Sequence, residues 1–104
     1  MGGDDSATLR LRERENFDSR YAEIEAWDVT ESDRYPDGVK YSFQYGEFDG
    51  DTIVRYDNFP DHPGAPHHHR HGPDGCVEGI EFEGLAALYQ RFKAEVNDHG
   101  HDWH

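Results

Sequence analysis

The chain has 104 residues, with 23 Asp and Glu against 10 Lys and Arg, a formal net charge of −13, 34% hydrophobic residues and 13% aromatic residues. A chain this short holds one domain with a thin core, because size scaling buries only about two thirds of the unfolded surface. The single cysteine, Cys76, excludes an internal disulfide, and no run approaches the roughly 18 apolar residues of a membrane span.

The polar start Met1-Gly2-Gly3-Asp4-Asp5 lacks the basic and apolar regions of an export signal, so the expected location is the cytoplasm, with no membrane partner. An acid excess opposes phosphate binding at low salt. Here, however, the acids are scattered among aromatic residues instead of gathered in a tail, which points to a folded, salt-adapted (halophilic) protein. In molar salt the Debye length is about 3 Å, so the electrostatic objection to an RNA substrate loses most of its force.

In chain order, residues 1–7 read as a frayed start. Leu9 and Leu11 then alternate with Arg10, Arg12 and Arg14, the period of a half-buried strand with a basic outer face. That stripe either discourages aggregation at a sheet edge or touches RNA phosphates or an acidic partner. A second strand, over residues 21–29, places Ala22, Ile24 and Ala26 on one face before Trp27 and Val29 break the phase, as a bulge near Ala26 would. The turn sequence Tyr35-Pro36-Asp37-Gly38 leads into the clearest strand, where Val39, Tyr41, Phe43 and Tyr45 alternate with Lys40, Ser42 and Gln44. Asp49-Gly50 turns into a strand over residues 52–56 that contains Ile53 and Val54.

Past Tyr56, Pro60, Pro63 and Pro66 prevent regular structure, and five of the eight histidines fall between His62 and His71. Pro73-Asp74-Gly75 is another turn, followed by a short apolar alternation through Val77, Ile80 and Phe82. From Gly84, Leu85, Leu88, Tyr89, Phe92 and Val96 recur at helical spacing, and Gly100 ends the helix. The expectation is one α+β domain over residues 1–104: an antiparallel four- to five-stranded sheet packed against one C-terminal amphipathic helix, with residues 98–104 as a frayed tail.

The histidine segment carries the chemistry. In an extended chain His67, His69 and His71 share one face and His68 and Arg70 the other. Imidazoles with a free pKa near 6.5 divide readily into a proton donor and a proton acceptor. Asp57 can orient a ring through its N–H, and Arg55 and Arg70 can balance a phosphate's charge. These are the groups that metal-free phosphodiester cleavage needs. A metal centre uses the same residue types: His67, His69 and His71 can ligate Zn²⁺ or Ni²⁺, with Asp57 or His62 completing the shell. Spacing alone does not separate the two. The internal position of the cluster, its interruption at Arg70 and the flanking prolines argue against an expression tag, whereas a solvated turn without a role stays open.

The succession of a Tyr/Phe-rich strand, an Asp-Gly turn, Arg55-Tyr56-Asp57-Asn58, Pro60, Pro63 and His68-His69-Arg70-His71 resembles the TumE-like toxin family of type II toxin–antitoxin systems. The resemblance spans residues 35–96 and is specific in the Tyr56 to His71 stretch. It implies a small cytoplasmic toxin, neutralised by a helix-turn-helix antitoxin and cleaving RNA, with Tyr56, Asp57, Asn58, His68, His69 and His71 on the matching positions. The acidity and the extra His67 depart from the family pattern. Together these readings give a metal-independent ribonuclease without a cofactor. In it His69 and His71 share the acid and base roles, His68 supports them, Asp57 orients a ring, and Arg70 and Arg55 meet the phosphate. Tyr56 and Asn58 shape the site, and a homodimer is compatible with the sequence. The alternatives are a zinc- or nickel-binding module and a non-catalytic protein-interaction regulator.

Overall fold

The computed structural model describes residues 7–59 and 67–103. Its strands are β1 (Thr8–Phe17), β2 (Arg20–Asp28), β3 (Val39–Glu47), β4 (Thr52–Asp57), β5 (His69–His71) and β6 (Val77–Gly79), followed by one helix, α1 (Leu85–Asn97). The strands form a single antiparallel sheet in the order β1-β2-β3-β4-β5-β6. This is the expected α+β architecture with six strands instead of four or five. The end of the histidine segment, His69–His71, is β5, and β6 extends the sheet beyond it. Both are three residues long, too short for an alternation of apolar residues to announce them.

Alternation gives the sheet two unlike faces. Ala22, Ile24, Ala26, Tyr41, Phe43, Tyr45, Val54 and Tyr56 are buried beneath α1, which contributes Leu88, Phe92 and Val96 to the same core. Phe92 is central, with its ring edge-on to Phe43 at 5.6 Å and to Tyr56 at 5.1 Å. The other face carries Glu23, Glu25, Trp27, Lys40, Ser42, Gln44, Arg55 and Asp57, and the register adds His71 beside Arg55 and His69 beside Asp57.

The turn before β3 needs a left-handed residue, which Gly38 supplies at φ 70°, and the backbone N–H of Gly38 donates to the carbonyl of Tyr35. The bulge expected near Ala26 lies across the ladder in β1. There Leu9 faces Trp27 and Leu11 faces Ala26, so Arg10 is the extra residue and β2 keeps its phase. A sequence shows that a phase breaks, but only pairing shows which strand holds the extra residue.

The tail is also a correction. Trp103 is buried against Phe17, Tyr89 and Phe92, and its backbone N–H and carbonyl pair with the side chain of Asn97. Among the described residues no helix is long and apolar enough to cross a membrane.

Candidate functional site

Asp57 ends β4 on the open face, where the pleat aims its side chain at the adjacent β5. The His69 Nε2 atom lies 2.8 Å from one Asp57 carboxylate oxygen, and His71 Nε2 lies 3.4 Å from the other. Both imidazoles reach the same carboxylate because residues two apart on a strand share a face. Their ring centroids are 5.0 Å apart. Asp57 and His69 are almost wholly buried, whereas the His71 side chain keeps 30% of its exposure. The Phe59 backbone N–H donates to Asp57 Oδ1 at 3.0 Å. Arg55 Nε stands 2.9 Å from Asp57 Oδ2, as an ion pair whose N–H is not aligned for a hydrogen bond. The buried carboxylate is therefore compensated from several sides, as burial of a charge demands.

The remaining candidates do not join this cluster. Arg70 and Tyr56 face each other across β4 and β5 on the helix side. The Arg70 guanidinium grips the Glu95 carboxylate and reaches Glu78 at 3.2 Å, and the Tyr56 hydroxyl donates to Glu95. Burial pushes Glu95 up, but the Arg70 and Tyr56 hydrogen bonds outweigh it and hold the carboxyl below its usual range. The Tyr56 hydroxyl is raised by burial and by Glu95. Arg70 thus completes a structural ion pair, and a phosphate would have to displace Glu95 to reach it.

His68 precedes the strand and turns toward the core. Its Nε2 lies 2.7 Å from Asp37 Oδ2, its Nδ1 lies 2.9 Å from the Tyr41 hydroxyl, and its ring stacks on Phe82 at 4.4 Å. The arrangement fits a neutral ring that donates to Asp37 and accepts from Tyr41. Burial lowers its pKa, outweighing the opposing pull of Asp37. Asn58 is also structural: its side-chain oxygen accepts from the Tyr41 N–H at 3.1 Å and its amide donates to the Val39 carbonyl at 2.8 Å, carrying the β3–β4 ladder past the end of the strand.

His67 is half-buried with its ring 5.3 Å from that of His68. Among the described residues, the ligand atoms that could surround a metal belong to Asp57, His69 and His71, all within 4.8 Å of one another, without His67. His62, the alternative fourth ligand, and the prolines Pro60, Pro63 and Pro66 lie outside the described residues.

Two partners escaped sequence reasoning. Asp37 sits in a turn and Glu95 on the helix, and neither position shows in the sequence that it will meet His68 or Arg70. The basic stripe also changes character. Arg10 pairs with Asp28, Arg12 with Glu25 and Arg14 with Glu23, so it is a cross-strand ladder of exposed ion pairs and not a free cationic strip.

These features define a small α+β domain with a helix on one face of its sheet and an Asp-His-His cluster built into the other. A family model described as Toxin TumE matches residues 3–99, reaching well past the stretch that carried the resemblance, and the chain belongs to this family. It is accordingly the toxin component of a toxin–antitoxin system, with an antitoxin as its partner. No curated protein and no solved structure matches the chain.

Proposed function

We propose that this toxin cleaves RNA by general acid–base catalysis at Asp57, His69 and His71, without a metal ion. The reading is carried by the convergence of two imidazole Nε2 atoms on the two oxygens of one buried carboxylate. The reaction needs one ring of the pair neutral and the other protonated. The neutral ring takes the proton of a ribose 2′-hydroxyl as that oxygen bonds to phosphorus. The cationic ring protonates the 5′-oxygen as the P–O5′ bond breaks, giving a 2′,3′-cyclic phosphate and a free 5′-hydroxyl. His71 is the more exposed ring, so the substrate approaches the pair from its side, and Arg55 supplies the cation beside the phosphate. His68, Tyr56, Asn58 and Arg70 hold the scaffold. The cognate antitoxin is a helix-turn-helix protein, the toxin works in the cytoplasm, and the net charge of −13 is an adaptation to high salt.

The test is cleavage of RNA by purified protein in the presence of a chelator. Cyclic-phosphate ends from the parent chain and none from His71→Ala support the reading, and activity equal in both dismisses it. A second reading is favoured by the compactness of the same three ligands, which could hold zinc or nickel with a coordination position left open. Arg55 weighs against it, since a guanidinium 2.9 Å from Asp57 already neutralises the carboxylate and repels a dication. Stoichiometric metal in protein purified without an affinity column, with cleavage abolished by the chelator, would decide for it.

A further inference from the structure

We propose that the open face of the sheet is a platform for single-stranded RNA, on which bases stack against aromatic side chains along a path ending at His71. The proposal rests on the RNA-cleaving reading and gives its substrate a strandedness and a route. The uncovered face of an antiparallel sheet is ordinarily polar. Here it carries Trp27 and the ring of Tyr21 on β2. Phe48, in the β3–β4 turn, packs on Tyr21 at 5.7 Å, and Phe59 follows β4. Phe48 is 45% exposed and Leu9 is 43% exposed. The β1 bulge at Arg10 is what brings Leu9 round to face Trp27, so an apolar side chain stands where an unbroken alternation would have put an arginine.

Cations attend these rings. Arg12 lies 5.6 Å from the Trp27 ring, and Arg14 lies 4.6 Å from Tyr21 and 5.9 Å from Phe48. Lys40 and Arg55 lie 5.3 Å and 5.2 Å from Phe59. Two arms of the platform meet at Arg55, which faces His71 across β4 and β5: on one, Lys40 faces Trp27 across β2 and β3 and Phe59 bridges Lys40 to Arg55; on the other, Phe48 packs on Tyr21, whose hydroxyl accepts from Gln44, the residue facing Arg55 across β3 and β4. Strands spaced about 4.8 Å apart put β5 roughly 14 Å across the sheet from β2, and the four-residue offset along the strands makes Trp27 and His71 roughly 20 Å apart, room for about three bases.

The strandedness follows from charge and stacking. Glu25 and Glu23 neutralise Arg12 and Arg14, so this face offers a poor grip on the phosphates of a duplex, whose bases are hidden from the rings. Unpaired bases can use the rings and the guanidinium planes, and stacking survives salt concentrations that screen phosphate contacts. A protein surface would also cover rings, but it would not account for cations leading from them to a proton-transfer site.

The test uses the full chain with His71→Ala, which leaves the probe uncut, and a labelled single-stranded RNA oligonucleotide beside its duplex in high KCl. Single strands should bind more tightly than the duplex and quench Trp27 fluorescence, and Trp27→Ala and Phe48→Ser should each weaken binding about 5- to 150-fold. The proposal is overturned by unchanged affinity in both folded variants, by duplex binding as tight as that of the single strand, or by saturation without quenching. It is equally overturned if both variants keep RNA binding and lose the antitoxin, since the face is then a protein interface. With the histidines intact, binding through this face without cleavage refutes the ribonuclease reading alone. Cleavage with binding indifferent to Trp27 and Phe48 refutes the platform alone.

Discussion

Asp57 gathers the site because it is the last residue of a strand whose neighbour presents two histidines on one face. Removing either histidine takes away a proton-transfer group, so His69→Ala and His71→Ala should each lower the cleavage rate about 10²- to 10⁴-fold, measured on RNA with a chelator present. Asp57→Asn should also destabilise the fold, by about 3–5 kcal/mol in urea titration, because Arg55 loses its buried counter-charge. His68 gives a pH dependence of a different kind. Its folded pKa lies below the ordinary value near 6.5, so the unfolded chain binds a proton that the folded chain does not. This contribution to stability is complete above that value and is lost as pH falls through the folded pKa. His68→Gln should flatten the acid limb of a plot of urea midpoint against pH, and an unaltered limb would assign it to other groups. At this scale the sequence singled out the Asp57 and histidine residues as candidates, but it placed His68 and Arg70 beside them, because adjacency in sequence says little about which face a ring finally occupies.

Among the elements, α1 and β3 were the easiest to read. Long apolar periodicities of 3.6 and 2 survive local noise, and Leu88, Phe92 and Val96 are buried as the helical spacing predicts. Phe92→Ala should cost about 3–5 kcal/mol, since its ring fills the space between Phe43, Tyr56 and Trp103. The C-terminal tail was misjudged because one tryptophan in a polar stretch has no period. Trp103 closes a small cluster, and its ring N–H reaches Glu13 of β1 at 3.3 Å while Asn97 of α1 holds its backbone. Trp103→Ala should therefore lower stability by an amount similar to Phe92→Ala; a change below about 0.5 kcal/mol, usual for a surface site, would mean that the tail is loose in solution. The exposed pairs of Arg10, Arg12 and Arg14 should matter far less, about 0–1 kcal/mol each, and less again in salt.

For the molecule as a whole, a formal charge of −13 makes self-repulsion a major destabilising force at low ionic strength. Added KCl should raise the thermal midpoint steadily as the Debye length contracts from about 10 Å at 0.1 M to about 3 Å at 1 M. A midpoint that falls over this range would remove the salt-adaptation reading, while leaving the chemistry of Asp57, His69 and His71 untouched.

Composition, periodicity and turn residues alone determined the α+β class, the meander from β1 to β4, the single helix and the stretch from Arg55 to His71 as the place to look for chemistry. These follow from local forces, in which apolar spacing chooses the element and Gly and Pro interrupt it. Pairing in three dimensions decided the rest. It made His69–His71 into β5, put His69 and His71 on Asp57, sent Arg70 to Glu95 and His68 to Asp37, and moved the bulge from β2 to Arg10. Face and partner depend on register across strands distant in sequence, and a shift of one residue would exchange every side chain between core and open face.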